Sequence, residues 1–385
     1  MVPKEWEIKT IGDIATVSSG GTPSRKEQAY WNGDIPWVTT AEVQFKTILD
    51  SAEKITKEGL TNSSAKLFPI NTILMAMYGQ GKTRGQVAKL GIEASTNQAC
   101  AAIILSSDYC VDYYYQFLIY QYENIRDMSN SGSQENLSGS IVKSIPVLVP
   151  PYFEQEKIAQ ILSTWDQAIS ATEKLLENSQ QQKKALMQQL LTGKKRLLDE
   201  NGVKFSDEWQ RIELGLLLDY QQPTPYLVES TAYSDSYETP VLTAGKTFIL
   251  GYTNESSGIY QDQLPVIIFD DFTTDSKYVN FPFKAKSSAM KILTAKKGVS
   301  IKFVFEAMQM LQFTVGGHQR HWISIFSNLV IPLPNIKEQQ QIAEVLSLAD
   351  QEIETLQKKL DCLKQEKKAL MQQLLTGKKR VKVAA

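Results

Sequence analysis

Lys183-Lys184-Ala185-Leu186-Met187-Gln188-Gln189-Leu190-Leu191-Thr192-Gly193-Lys194-Lys195-Arg196 returns letter for letter as Lys367 to Arg380, 184 residues later. Working backwards at the same offset, Glu154-Gln155 meets Glu338-Gln339, Ile158-Ala159 meets Ile342-Ala343, Leu162-Ser163 meets Leu346-Ser347, and Ile169 meets Ile353, with no gap. A period near half the chain is too long for a solenoid repeat and describes a duplicated domain-plus-helix unit. At 385 residues the chain also exceeds what one compact core usually holds, which favours more than one domain.

The duplicated stretch carries helical periodicity, because its apolar residues recur at alternating steps of four and three. In the first copy these are Ile158, Leu162, Trp165, Ile169, Leu176, Leu186 and Leu190, with Thr172, Ser179 and Lys183 as polar interruptions. In the second they are Ile342, Leu346, Ala349, Ile353, Leu356, Leu360, Leu363, Leu370 and Leu374, broken by Lys367 alone. Prolines 150 and 151, or 332 and 334, precede each copy, and Gly193 or Gly377 follows beside Lys-Lys-Arg, which are start and stop signals for helices of ~60 Å. Such a stripe fits a coiled-coil seam. The economical way to bury two of them is against each other, antiparallel, giving pseudo-twofold symmetry and a rod between two globular units.

The stretches before the helices mix strand-like runs such as Pro265-Val266-Ile267-Ile268-Phe269 with turn clusters such as Ser18-Ser19-Gly20-Gly21-Thr22-Pro23, which predicts α+β modules. They share a layout. Glu5-Trp6 opens one and Glu208-Trp209 the other, Ile11-Gly12 corresponds to Leu214-Gly215, and an aromatic helix is expected at 113–122 or 303–313. Ser138 or Ser324 then stands seven residues before an Ile-Pro. The expected division is 1–150 for the first module, 151–200 for the central helix, 201–334 for the second module and 335–385 for the last helix.

Hydrophobic residues at 42% and charged residues at 22% are ordinary globular values, excluding a largely disordered or fibrous chain. The N-terminal residues lack a signal-peptide layout, and no apolar run approaches the ~20 residues of a bilayer span, so no membrane partner and a cytoplasmic location are expected. Cys100, Cys110 and Cys362 are too few for a disulfide framework and are read as buried thiols. With 41 basic and 42 acidic side chains, any nucleic-acid surface must arise from local segregation of charge.

In this order, twice, the motifs resemble the specificity (S) subunit of type I restriction-modification systems. The resemblance covers essentially the whole chain and rests on Trp6 and Trp209, Gly20-Gly21-Thr22-Pro23-Ser24, Gln134-Glu135-Asn136-Leu137-Ser138, the Ile-Pro endings, and Glu-Gln-x-x-Ile-Ala leading to Leu-Leu-Thr-Gly. It implies two target-recognition domains, each followed by a long helix. The expected function is reading double-stranded DNA with two half-sites and an unread spacer, without catalysis in this chain. Two methyltransferase (M) subunits and restriction (R) subunits would be the partners, with S-adenosylmethionine, ATP and magnesium bound on them. The second module departs from the first, having Gln221-Gln222-Pro223-Thr224-Pro225-Tyr226 in place of Gly-Gly-Thr-Pro and Gly317-His318-Gln319-Arg320 near the place of Gln134-Glu135-Asn136, which implies a different half-site.

Base edges are read by paired donors and acceptors, supported by phosphate contacts from hydroxyls and backbone. Candidates in the first module are Thr22, Ser24, Gln80, Lys82, Thr83, Arg84, Asn97, Gln98, Gln134 and Asn136. In the second they are Thr224, Tyr226, Thr243, Lys246, Thr273, Thr274, Lys286, Ser287, His318, Gln319 and Arg320, with solvated loops as the alternative reading. Two modules on a rod face one side of B-DNA if their half-sites lie about one turn, ~34 Å, apart. The competing function is a coiled-coil protein-interaction adaptor without DNA specificity, motivated by the neutral charge balance.

Signals for catalysis are incomplete. Gly81-Lys82-Thr83 lacks the first glycine of a phosphate loop, since Ala76 stands there. Val149 precedes Pro150-Pro151-Tyr152 where an adenine methyltransferase needs Asp or Asn, His318 and His321 have no neighbouring cysteines to complete a zinc site, and Asp270-Asp271 lacks a nuclease pattern.

Overall fold

The computed structural model describes residues 3–79, 81–128, 136–243, 247–311 and 321–382, with His321 described by its backbone alone. Gln80, Gln134, Lys246, His318, Gln319 and Arg320 therefore lie outside the described residues. The chain divides into two compact units, Met1–Glu173 with Lys359–Ala385, and Lys174–Lys358. Each unit thus holds one module and pieces of both long helices.

The two helices run over Tyr152–Leu190 and Ile336–Leu374, 39 residues each. The seam positions are buried or half-buried throughout. In the first unit Ile158, Ala159 and Leu162 pack with Leu370, Met371 and Leu374, while Lys367 reaches Asp166 (2.6 Å) and Lys364 reaches Glu173 (2.8 Å), so the segments run antiparallel. In the second unit Leu186, Met187 and Leu190 pack with Ile342, Ala343 and Leu346, again antiparallel, with Lys183 on Asp350 (2.6 Å) and Ser179 on Glu352 (3.3 Å).

Within the first unit a ribbon of Glu7–Thr10 against Pro146–Val149 frames the module. A five-stranded sheet follows in the spatial order Ala15–Ser19, Cys100–Leu105, Ile73–Ala76, Val87–Leu90 and Thr47–Ile48. A second sheet orders Glu53–Ile55, Trp31–Val38, Ala94–Thr96 and Leu67–Phe68. The second unit repeats the ribbon as Gln210–Glu213 against Val330–Leu333. Its larger sheet has the same order, Leu218–Gln221, Met290–Ala295, Val266–Asp270 and Ser276–Val279, and its smaller one is Ile249–Thr253, Thr239–Leu242 and Lys284–Ala285. Both units are α+β. The alternation of buried Ile73, Met75 and Met77 towards one cluster and Leu74 and Ala76 towards another shows a sheet covered on both faces.

The duplicated motifs turn out to be joints. Glu154, 2% exposed, accepts from Arg380 Nε (2.8 Å) and Nη2; Glu338, fully buried, accepts from Arg196 Nε (2.6 Å) and Nη2 (2.7 Å) and from the Trp209 indole (3.1 Å). Gln155 donates to the Pro150 carbonyl (2.8 Å) and accepts from the Cys110 amide (2.9 Å); Gln339 does the same with Pro334 (2.8 Å) and Ser300 (2.9 Å). Cys110 and Ser300 each cap an aromatic helix, Val111–Tyr120 and Ile301–Gln309. One buried Glu-Gln pair therefore orients a long helix, an aromatic helix and the end of the other long helix together.

Gly193 and Gly377 close the helices at φ +72° and +70°, a left-handed conformation that favours glycine. A Cβ at Gly377 would come within 2.3 Å of the Pro3 ring and 3.3 Å of Trp6, whereas one at Gly193 would sit 3.5 Å from Trp209. Gly193→Ala should therefore cost about 1 kcal/mol, from backbone conformation. Gly377→Ala should cost more, because Pro3 must also move. Urea midpoints of the two variants measured side by side check this; equal losses would refute the steric part.

Of the cysteines, Cys100 is buried and Cys110 half-buried, but Cys362 is exposed, correcting the expectation that all three are buried. It lies beside the seam position Leu363, so helical rotation carries it to the outer face. No helix among the described residues is long and apolar enough to cross a membrane.

Candidate nucleic-acid interface

In the first module the Gly20-Gly21 turn presses against the strand end at Thr96. A Cβ on Gly20 would stand 1.9 Å from the Thr96 carbonyl oxygen, and the Gly21 amide donates to that same oxygen at 2.9 Å. The Trp37 indole donates to the Gly21 carbonyl (2.9 Å) and the Trp31 indole to the Ser24 carbonyl (3.1 Å). This close approach seats Thr22 beside Gln98, to which its hydroxyl donates at 2.5 Å. Asn97 spends its side-chain oxygen on the Ala99 amide (3.1 Å), while Ser24 and Gln98 are exposed.

A second loop carries Lys82, Thr83 and Arg84 between glycines 79, 81 and 85, all at positive φ. The Tyr122 hydroxyl donates to the Lys82 carbonyl and Arg126 Nη2 to the Gly81 carbonyl (2.8 Å), which fixes the backbone and leaves Lys82 exposed and Thr83 half-buried. Arg84 is only 8% exposed and turns inward, unlike the other basic candidate. Asn136, half-buried, is held next to this loop because the Leu137 amide donates to the Met77 carbonyl (2.9 Å).

In the second module the candidates fall into two groups. Tyr226, Thr243, Lys286 and Ser287 come together on neighbouring segments, since the Val228 amide donates to Ala285 (2.9 Å) and the Lys286 amide to Leu242 (2.8 Å). Tyr226 packs edge-on against Tyr260 at 4.8 Å and its hydroxyl accepts from Gln221 (3.2 Å); Lys286 and Thr224 are exposed. Thr273 and Thr274 occupy a separate hairpin tip, Thr274 at φ +66°. The aspartates before that tip hold structure: Asp270 accepts from the Phe272 amide (2.9 Å), and Asp271 from the Trp322 amide (2.9 Å) while pairing with buried Lys291 (3.3 Å). Lys291 also donates to Gln222 (3.1 Å), so the turn that glycines shape in the first module is held by a polar network here. Among the described residues no group of three or more His, Cys, Asp or Glu side chains could hold a metal ion.

The sequence reading missed a cleft next to the Gly-Gly-Thr-Pro-Ser turn, lined by Arg25, Trp31, Asn32, Gly33, Glu53 and Lys54. Regular strand geometry would hold Trp31 and Trp37 about 20 Å apart. The rings that line this cleft meet because the strand bulges between Trp31 and Ile35, both of which pair with Ile55, and no local spacing announces that bulge. Arg25 and Glu53 form a two-fold hydrogen-bonded ion pair there, and each holds the other charged: the guanidinium keeps the Glu53 carboxyl below the usual carboxylate range.

Duplicated α+β modules, each bolted by a buried carboxylate to the end of the other module's helix, define a two-module protein with unlike loops on a common frame. The family model for the "Type I restriction modification DNA specificity domain" matches residues 3–179 and 206–365, and the chain belongs to that family. It is 54% identical over 132 residues to the EcoR124I/EcoR124II specificity subunit of Escherichia coli, a match covering 33% of this chain and 32% of that protein. It is 34% identical over 190 residues to the MjaIX specificity subunit of Methanocaldococcus jannaschii, covering 48% of this chain and 42% of that one. These two matches thus span less than half of either relative. The putative MjaX specificity subunit of the same organism is 24% identical over 99% of this chain and 95% of its own. The crystal structure of a type I restriction-modification S subunit from M. genitalium shares the fold, with a TM-score of 0.69 at 16% identity over 97% of this chain and 96% of that one.

Proposed function

We propose that this chain is the sequence-specific DNA-recognition subunit of a type I restriction-modification assembly. It reads a two-part target and positions two methyltransferase subunits and restriction subunits, which carry S-adenosylmethionine, ATP and magnesium, and it has no catalysis of its own. The observation that carries this reading is a shared frame bearing dissimilar loops: the same ribbon, sheet order and helix joints repeat, while Gly20-Gly21-Thr22 becomes Gln221-Gln222-Pro223. Shared frames serve common partners, and unlike loops serve unlike ligands.

The test is a titration of the chain assembled with its methyltransferase subunits against duplexes of varied sequence. Affinity should concentrate on one two-part motif and weaken with salt. Equal affinity for every duplex rejects sequence reading, and the absence of any footprint favours a protein-interaction adaptor. Replacing residues 1–150 with another such module should change one half-site and leave the other, read from genomic methylation; a change in both would contradict independent modules.

A further inference from the structure

We propose that Arg25 and Glu53 act together as a base-reading pair, taking the major-groove edge of one G·C pair in the half-site of the first module. The proposal rests on the reading of the chain as a DNA-recognition subunit and names residues for it.

The pair is held in one pose. The Arg25 guanidinium carbon sits 3.8 Å from the centre of the Trp31 ring and 5.0 Å from that of Trp37. The two rings meet edge to face at 5.1 Å, and their indoles are tied to the Ser24 and Gly21 carbonyls. On the other side both terminal nitrogens of Arg25 donate to Glu53, Nη2 to Oε2 at 2.9 Å. Yet the two side chains remain 53% and 41% exposed, and they face a cleft of about 400 Å³. A long, flexible side chain is here rigid and still open to a ligand.

The remaining hydrogen-bonding capacity fits a particular partner. Guanidinium has five N–H donors, of which the carboxylate uses two, and each carboxylate oxygen keeps a free lone pair. Side by side, the pair presents two donors and then an acceptor. Across the major groove a G·C pair offers guanine N7 and O6 as acceptors and the cytosine amine as donor, in that order, while an A·T pair places its donor between two acceptors. A phosphate fits worse, because Glu53 sets a negative charge beside Arg25, and the nearby Lys54 is already paired with Asp50 at 3.2 Å. A plain surface tether would require neither a double-tryptophan platform nor an open cleft.

The experiment uses the chain assembled with its methyltransferase subunits, as wild type, Arg25→Ala, Arg25→Lys and Glu53→Gln, against duplexes substituted singly at every target position. For the wild type, one G·C pair in the first half-site should discriminate about ten-fold or more against other pairs. Arg25→Ala and Arg25→Lys should relax that one position to near indifference, because lysine keeps charge but not the paired donors, and Glu53→Gln should weaken it. Selectivity in the second half-site should be unchanged, which also reports that the complex is folded. A uniform loss of affinity with a shallower salt dependence would overturn the proposal in favour of a phosphate contact, and unchanged selectivity in favour of a tether. Absence of any sequence preference in the wild type would instead overturn the DNA-recognition reading beneath it.

Discussion

Arg196→Ala is expected to destabilise the second unit by about 3–5 kcal/mol, because it strands a carboxylate that has no exposure to water. Glu338 has 0% exposed surface, and two of its charge-assisted hydrogen bonds come from Arg196 at 2.6 and 2.7 Å. What remains is the Trp209 indole at 3.1 Å, one neutral donor for a buried charge. The guanidinium also lies 5.5 Å from the Trp209 ring centre, so packing is lost with the charge. Arg380→Ala, the equivalent change in the first unit, should cost less: Arg380 is 37% exposed, and water can reach the place it vacates. Urea denaturation followed by tryptophan fluorescence checks both, and equal losses would refute the distinction. Converting the pair together, Arg196→Met with Glu338→Leu, should recover much of the loss, since the penalty belongs to the unpaired charge.

The frame of the molecule was legible because its signals are local. Leucine spacing marks the helices, Gly193 and Gly377 mark their ends, and Trp6 and Trp209 recur where those ends are received. The meaning of several signals was not legible, because it depends on groups far away in the chain. Thr172, Ser179 and Lys183 read as interruptions of an apolar stripe, yet all three face inward: Thr172 bonds the Ala168 carbonyl (2.8 Å), Ser179 bonds Glu352, and Lys183 meets two carboxylates. Glu154-Gln155 and Glu338-Gln339 served as family signatures, and only coordinates show them as joints. Among the candidate readers, composition could not separate inward Arg84 from exposed Lys82, two residues apart. Arg25 and Glu53 escaped notice because 28 positions separate them and each alone is an ordinary surface charge.

Lys183→Ala should cost the second unit about 2–4 kcal/mol, while its counterpart Lys367→Ala should cost the first unit about 1 or less. The difference lies in what each lysine leaves behind. Lys183 reaches Asp350 at 2.6 Å and fully buried Glu306 at 3.1 Å, and Lys302 completes the cluster at 2.6 Å from Glu306 and 2.8 Å from Asp350. In the first unit the place of Glu306 is taken by neutral Gln116, which donates to Asp166 (2.6 Å), and Lys367 answers that one carboxylate, itself 44% exposed. Removing Lys183 leaves two negative groups to one cation. The charges also dictate a pH dependence. Burial works against the charge on Asp350, but hydrogen bonds from Lys183 and Lys302 outweigh it and hold its carboxyl below the ordinary value. A depressed carboxyl contributes stability above its unfolded value of about 4, and the contribution disappears as pH falls through the lower folded value. Wild type should therefore lose stability below about pH 4 more steeply than Lys183→Ala, so that the gap between them narrows in acid. Urea midpoints of both proteins from pH 7 down to 3 measure that gap, and a gap that stays constant would show that Lys183 acts by packing and not by charge.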